Sequence, residues 1–232
     1  KVLDVADRYV VPGFIDTHVH GDAVLLADPI HLPALKQGVT TYLIGQDGSS
    51  FAPASPATMD YMRRYTAGFN ANPDGVAYDW NTIDEYLQRF DGTTALNVAY
   101  LVPNGNVRME VMGLDPRPAT PDEIRAMQRL VRQGMDEGAV GLSTGLDYIP
   151  SRYADAREIA ALCEAIVPDG GVYVTHMRGY GPRADVGMQE VYEIVRRSGV
   201  AGHVSHYNGT ADMLLPLIDQ GRAQGFDLTF DT

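Results

Sequence analysis

The 232-residue chain carries 18 basic and 30 acidic side chains, a formal net charge of −12, with 45 % hydrophobic and 21 % charged residues. That balance excludes a disordered acidic tail, and no apolar run approaches the roughly 18–20 residues that a bilayer-crossing helix needs. The negative field also argues against nucleic acid or an anionic membrane as a partner. Cys163 is the only cysteine, so the chain builds no internal disulfide framework and no thiolate zinc cage, and the residue reads as a buried thiol on a helix. No charged-then-apolar leader is visible, which makes a cytoplasmic setting the expectation.

In chain order, short runs rich in Val, Leu, Tyr and Phe predict strands over 11–17, 39–45, 95–102, 139–143, 171–176, 200–205 and 226–231. A helix is predicted over 56–67, and the Pro- and Gly-containing stretches 51–56 and 70–80 read as loops. Thr82 with Glu85 and Thr120 with Glu123 form capping boxes, the second with Pro121 at the first helical position. Asp155 and Glu158 open a further helix in the same way, ahead of Ile159, Leu162 and Ile166. Strands alternating with helices imply a parallel sheet. A dinucleotide-binding sheet should place a glycine fingerprint after the first strand. Here that strand ends in Asp16-Thr17-His18-Val19-His20, which favours a (β/α)8 barrel. Such a barrel takes about 250 residues, and seven strands are readable, so the chain is read as a TIM-type barrel lacking its last strand. The long separation between the second and third strands predicts an insertion over the barrel mouth, where substrate-shaping loops belong.

The histidines point to chemistry. His18 and His20 lie two apart at a strand end and so share a face, while His176 and His206 close two later strands. Parallel strands of a barrel converge on one mouth at these ends, and several imidazoles there suit zinc. The competing reading, of four separate polar core histidines, fits a His-x-His pair with two further strand-end histidines poorly. His31 lies in a proline-flanked loop and His203 has the opposite strand parity to His206. Both are left out of the ligand set, with His203 as a supporting residue.

These residues carry a resemblance. Pro12-Gly13-Phe14-Ile15-Asp16-Thr17-His18-Val19-His20 resembles the opening motif of the amidohydrolase superfamily. Gly38-Val39-Thr40-Thr41, Gly141-Leu142-Ser143-Thr144-Gly145-Leu146, Thr175-His176-Met177-Arg178 and Ser205-His206 are similar to the D-aminoacylase branch, the N-acyl-D-amino-acid deacylases. The resemblance spans nearly the whole chain in family order. It implies that His18, His20, His176 and His206 bind one or two zinc ions that activate a water against an acyl carbonyl. It also implies that an aspartate ending an eighth strand, beyond this sequence, carries the proton. Residues 1–10 then read as the end of a small flanking β domain and 11–232 as the barrel.

Three departures from the family pattern matter. The family commonly places a cysteine in a Gly-Asn-Cys-Gly segment after the second strand, where this chain has Gly45-Gln46-Asp47-Gly48. Asp47 is therefore either a metal ligand or the cap of the following turn. A family lysine that holds the substrate carboxylate is replaced by Asn208, and Asn208 with its neighbour Tyr207 is read as lining the substrate site. Arg178 and Tyr148 are the candidates to compensate, against readings as a structural ion pair and a packed loop aromatic. Finally, the only lysines are Lys1 and Lys36, so the lysine-bridged centre of cyclic-amide hydrolases is excluded. The expected activity is hydrolysis of N-acyl-D-amino acids, or of dipeptides with a C-terminal D residue, all small molecules. The alternatives are a cyclic-amide hydrolase and a non-catalytic metal-binding homologue.

Overall fold

The computed structural model describes residues 2–232. Strands β1 (Phe14–Asp16), β2 (Val39–Ile44), β3 (Asn97–Pro103), β4 (Gly141–Gly145), β5 (Val172–His176), β6 (Ala201–Val204) and β7 (Leu228–Phe230) form one sheet in sequential order. Every neighbouring pair is parallel. The connections carry helices α1 (Val24–Ala27), α2 (Leu32–Lys36), α3 (Pro56–Tyr65), α4 (Ile83–Leu87), α5 (Asn104–Met112), α6 (Pro121–Asp136), α7 (Ala156–Glu164), α8 (Ala184–Ser198) and α9 (Ala211–Ala223).

The sheet is curled, as one distance shows. Strands sit about 4.8 Å apart, so in a flat sheet β1 and β6 would be separated by five spacings, about 24 Å. Instead the rings of His18, just past β1, and His206, just past β6, have centroids 4.9 Å apart. The fold is thus an α/β partial TIM barrel of seven strands, with the helices on its outside and their apolar stripes turned inward. Ile124, Met127 and Val131 of α6 and Ile159 and Leu162 of α7 are buried in the core with Tyr100, Leu142 and Tyr173 from the strands.

The capping signals hold at atomic detail. Thr82 and Thr120 each complete a reciprocal capping box, Asp155 accepts from the Glu158 N–H, and Ser55 caps α3 ahead of Pro56. Strand limits moved where backbone chemistry overrode side-chain pattern. The first strand shrinks to three residues, because Pro12 has no N–H to give and Val10 and Val11 are exposed. The fourth slides to Gly141–Gly145, since its ladder continues through Thr144↔Thr175 and Gly145↔His176. At the last strand Phe226 N bonds back to Gly221 O and is not in the ladder. The helix expected over 56–67 stops at Tyr65, with the Thr66 N–H closing the last turn on Met62 O at 2.8 Å. Helix α5 has no side-chain cap and begins Asn104-Gly105-Asn106, a composition that reads as a turn. Residues 2–13 run exposed and without a strand.

Candidate metal centre

The site is organised around Asp47, in a 3₁₀ turn (Gln46–Gly48) immediately after β2. Gly45 enters this turn at φ 79°, and a Cβ there would lie 2.4 Å from Leu101 O, so the position requires glycine. Asp47 itself adopts φ 55°, a left-handed conformation that Asp tolerates better than most non-glycine residues. Three side chains hold the turn, and a glycine closes against it. Gln46 Nε2 donates to Thr17 O and Leu43 O, both at 2.9 Å. Ser143 Oγ donates to Gly45 O at 2.5 Å and accepts from Gly48 N at 3.1 Å. The buried Asp22 accepts from Gly45 N at 3.2 Å and from Ser50 Oγ, and burial pushes its carboxyl pKa up. Against the other side lies Gly145, where a Cβ would meet Asp47 O at 2.1 Å.

The Asp47 carboxylate, almost fully buried, faces four imidazoles. Its Oδ2 is 3.4 Å from His20 Nε2 and 3.7 Å from His176 Nδ1. Its Oδ1 is 3.7 Å from His206 Nε2 and 4.0 Å from His18 Nε2. The ring of His176 lies 4.6 Å from that of His206, and their Nδ1 and Nε2 atoms are 3.0 Å apart. The structure thus brings together all five residues that the sequence singled out as ligands. It does not use Asp47 to cap the following turn: Ser49 N bonds Gln46 O and Ser50 Oγ donates to Asp22.

The donor set fits a divalent ion. His18, His20 and Asp47 form one group whose ligand atoms lie within 4.8 Å of one another, and Asp47, His176 and His206 form a second. Asp47 Oδ1 and His18 Nδ1 are buried without a hydrogen-bond partner, a cost that a ligated cation would offset. Burial by itself raises the Asp47 carboxyl pKa. The imidazoles of His176, His20 and His206 and the charge of His18 more than reverse that, holding it well below the usual carboxylate range. Burial lowers the His18 pKa against the pull of Asp47. At His20 and His206 burial also lowers, but Asp47 wins and both are raised. Nitrogen and carboxylate ligands of this kind suit zinc.

A ring of supporting groups surrounds these residues. His203 Nε2 pairs with Asp231 Oδ2 at 2.9 Å, and Asp231 Oδ1 accepts from the His206 N–H at 2.5 Å. Asp231 Oδ2 also stands 4.0 Å from His18 Nδ1, near enough for its charge to act on that ring but not for a hydrogen bond. His176 Nε2 lies 3.4 Å from Asp147 Oδ2. Tyr180 packs on His176 and His206 and donates its hydroxyl to Ser205 O. Asn70 bonds His20 Nδ1 at 2.8 Å, and Phe69 packs edge-on against the same ring.

Sequence reasoning missed Asp22, Phe69, Asn70, Asp147 and Tyr180. The long excursion after β2 signalled a covering loop, but no spacing marks a lone Asn or Phe within it.

The four residues considered for substrate contact are placed differently. Tyr148 is at the mouth, its ring 4.8 Å from His176 and stacked on Phe69, and burial with the nearby Asp47 charge pushes its phenol up to about 12. Asn208 is exposed beyond His206. Tyr207 is buried, its hydroxyl 3.4 Å from Leu214 O, among core residues. Arg178 is occupied: its guanidinium donates to the backbone oxygens of Leu146, Arg152 and Ala154 and to both oxygens of Glu190.

A partial barrel with a histidine-carboxylate cluster at the carboxyl ends of its strands defines a class, and residues 1–221 match the Amidohydrolase family. The chain belongs to that family. It is similar to a D-aminoacylase of Alcaligenes xylosoxydans xylosoxydans, 34 % identical over 234 residues, covering 96 % of this chain and 46 % of that protein. The crystal structure of a D-aminoacylase superposes with a TM-score of 0.82 at 33 % identity, over 95 % of this chain and 47 % of that one. The N-acyl-D-glutamate deacylase of Bordetella bronchiseptica, complexed with zinc and a phosphonate inhibitor, gives 0.83 at 30 % identity, over 95 % and 47 %. The chain therefore spans about half the length of the relatives it matches.

Proposed function

We propose that this chain carries the metal centre of a zinc-dependent amidohydrolase that cleaves the amide of N-acyl-D-amino acids, or of dipeptides ending in a D residue. One observation carries the reading: four imidazoles and one carboxylate, drawn from β1, β2, β5 and β6, converge within hydrogen-bonding or near-contact distance at one mouth. His18, His20, Asp47, His176 and His206 would hold one or two ions. Bound zinc supplies a Lewis acid that polarises an acyl carbonyl and acidifies a water at neutral pH. The preference for D substrates and for zinc is taken from the names of the relatives that the chain resembles.

The chain's own residues orient and enclose. His203 and Asp231 brace His206 through its backbone N–H and face His18. Asp231 follows β7 and is already hydrogen-bonded to His203 and to the His206 N–H, so it is not assigned the proton-carrying role, which the family resemblance assigns to an aspartate ending an eighth strand. Tyr148 and Phe69 wall the mouth, and Tyr148 offers a phenol that stays protonated at neutral pH as a donor to substrate oxygen. Arg178 braces the loop after β4, and position 208 is Asn, so neither provides a free cation for a substrate carboxylate. Among the described residues no helix is long and apolar enough to cross a membrane. The flanking β domain is likewise proposed from resemblance alone.

The test is steady-state release of amino acid from an acetyl-D-amino acid panel by the full-length zinc-loaded protein. Turnover of D but not L isomers supports the proposal. Turnover of hydantoin or dihydroorotate alone would move the assignment to a cyclic-amide hydrolase. Bound zinc without turnover of any amide would favour a non-catalytic homologue.

A further inference from the structure

We infer that Asn70, on the excursion between β2 and β3, is a positioning residue that decides which nitrogen of His20 is presented to the metal centre; this rests on the metal-centre reading above. Asn70 is fully buried, and its own N–H is tied to Thr66 O at 2.8 Å, just beyond α3. Its side chain has two contacts, and each constrains the other. Nδ2 donates to Ser49 O at 2.8 Å. A carbonyl oxygen can only accept, so the amide nitrogen must face Ser49 and cannot be exchanged with the oxygen. Oδ1 is therefore the atom 2.8 Å from His20 Nδ1. An amide oxygen can only accept as well, so Nδ1 must carry the hydrogen. Nε2, 3.4 Å from Asp47 Oδ2, is left as the nitrogen whose lone pair can bind an ion.

The arrangement links the site to a distant stretch of chain. Ser49 follows the turn that carries Asp47, so one amide spans from the Asp47 turn to the His20 ring and fixes both. Phe69, the preceding residue, sets its ring 4.9 Å from that of His20 at 66° and limits its rotation from a second side. The partner is a neutral amide where a carboxylate would add charge, so Asn70 selects a tautomer without bringing a second anion beside Asp47. The excursion is then part of the metal centre's scaffold as well as a cover for the mouth.

The test uses the full-length protein, zinc alone as the probe, and 15N-labelled histidine. Long-range proton–nitrogen spectra of the zinc-loaded wild type should show His20 protonated at Nδ1. Asn70→Leu should weaken zinc binding about 10–100-fold in chelator competition and let the metal-free His20 ring sample both tautomers. Asn70→Asp keeps an acceptor for His20 Nδ1 but sets an oxygen against Ser49 O, so it should recover only part of the loss and bind zinc between the wild type and Asn70→Leu. If Asn70→Leu does not fold, the wild-type spectrum still decides. A His20 proton on Nε2, or zinc affinity unchanged in a folded Asn70→Leu, would overturn the inference while leaving the metal reading intact. A wild type that binds no zinc would overturn both.

Discussion

Asp47 is the residue at which composition and geometry meet. A carboxylate buried among four imidazoles is held ionised by them, and His20 and His206 are drawn above the ordinary imidazole value of 6.5 by the same contact. In the metal-free protein each raised histidine contributes stability that is fully present below the unfolded value and is lost as pH rises through the raised folded value. An ion needs those nitrogens unprotonated, so it competes with the protons. Zinc affinity should therefore strengthen as pH is raised from 6 to 8, with protons released on binding. Calorimetry in buffers of different ionisation enthalpy reads both quantities. An affinity flat across that range, with no proton release, would contradict the placement of Asp47 against His20 and His206.

At the scale of elements, two arginines decide how the helices and loops are held. Arg108 of α5 and Glu158 of α7 form an ion pair at 2.5 Å with both side chains fully buried. Burial raises the Glu158 pKa, and the Arg108 hydrogen bond and charge counter it only in part, so it stays raised. Removing one partner strands the other, so Arg108→Met should cost about 3–5 kcal/mol in denaturant unfolding, whereas a change within about 0.5 kcal/mol would mean that the pair contributes no stability. Arg178, half-buried beside Glu190, bridges the end of β5 to the loop carrying Tyr148. Arg178→Met should lower stability by about 2–3 kcal/mol through the lost charged hydrogen bonds. If it instead leaves the melting temperature unchanged and raises KM alone, Arg178 contacts substrate. Helix starts were readable in the sequence because caps are local: Thr82, Thr120 and Asp155 each need only the residue three positions on. Strand ends were not, because Gly145 enters β4 through the ladder to His176, a partner 31 positions away. Arg178 shows the same limit, since its acceptors are three backbone oxygens and the carboxylate of Glu190, none of which a motif records.

The whole molecule supplies what neither scale can, the curl that turns strand ends into a site. The sequence placed His18, His20, His176 and His206 at strand ends, and the parallel pattern predicted that those ends share a mouth. The turn that presents Asp47 rests on Ser143 and Gly145 of β4, so its position becomes evident only once the sheet has closed that far. The same holds for Asn70 and Tyr180, which reach the histidines across the fold. X-ray absorption at the zinc edge of the zinc-loaded protein tests the central claim most directly. The account predicts a first shell of nitrogen and oxygen at about 2.0–2.1 Å, with outer scattering from two or more imidazoles and no sulfur. A sulfur shell near 2.3 Å, or a shell without imidazole scattering, would contradict it.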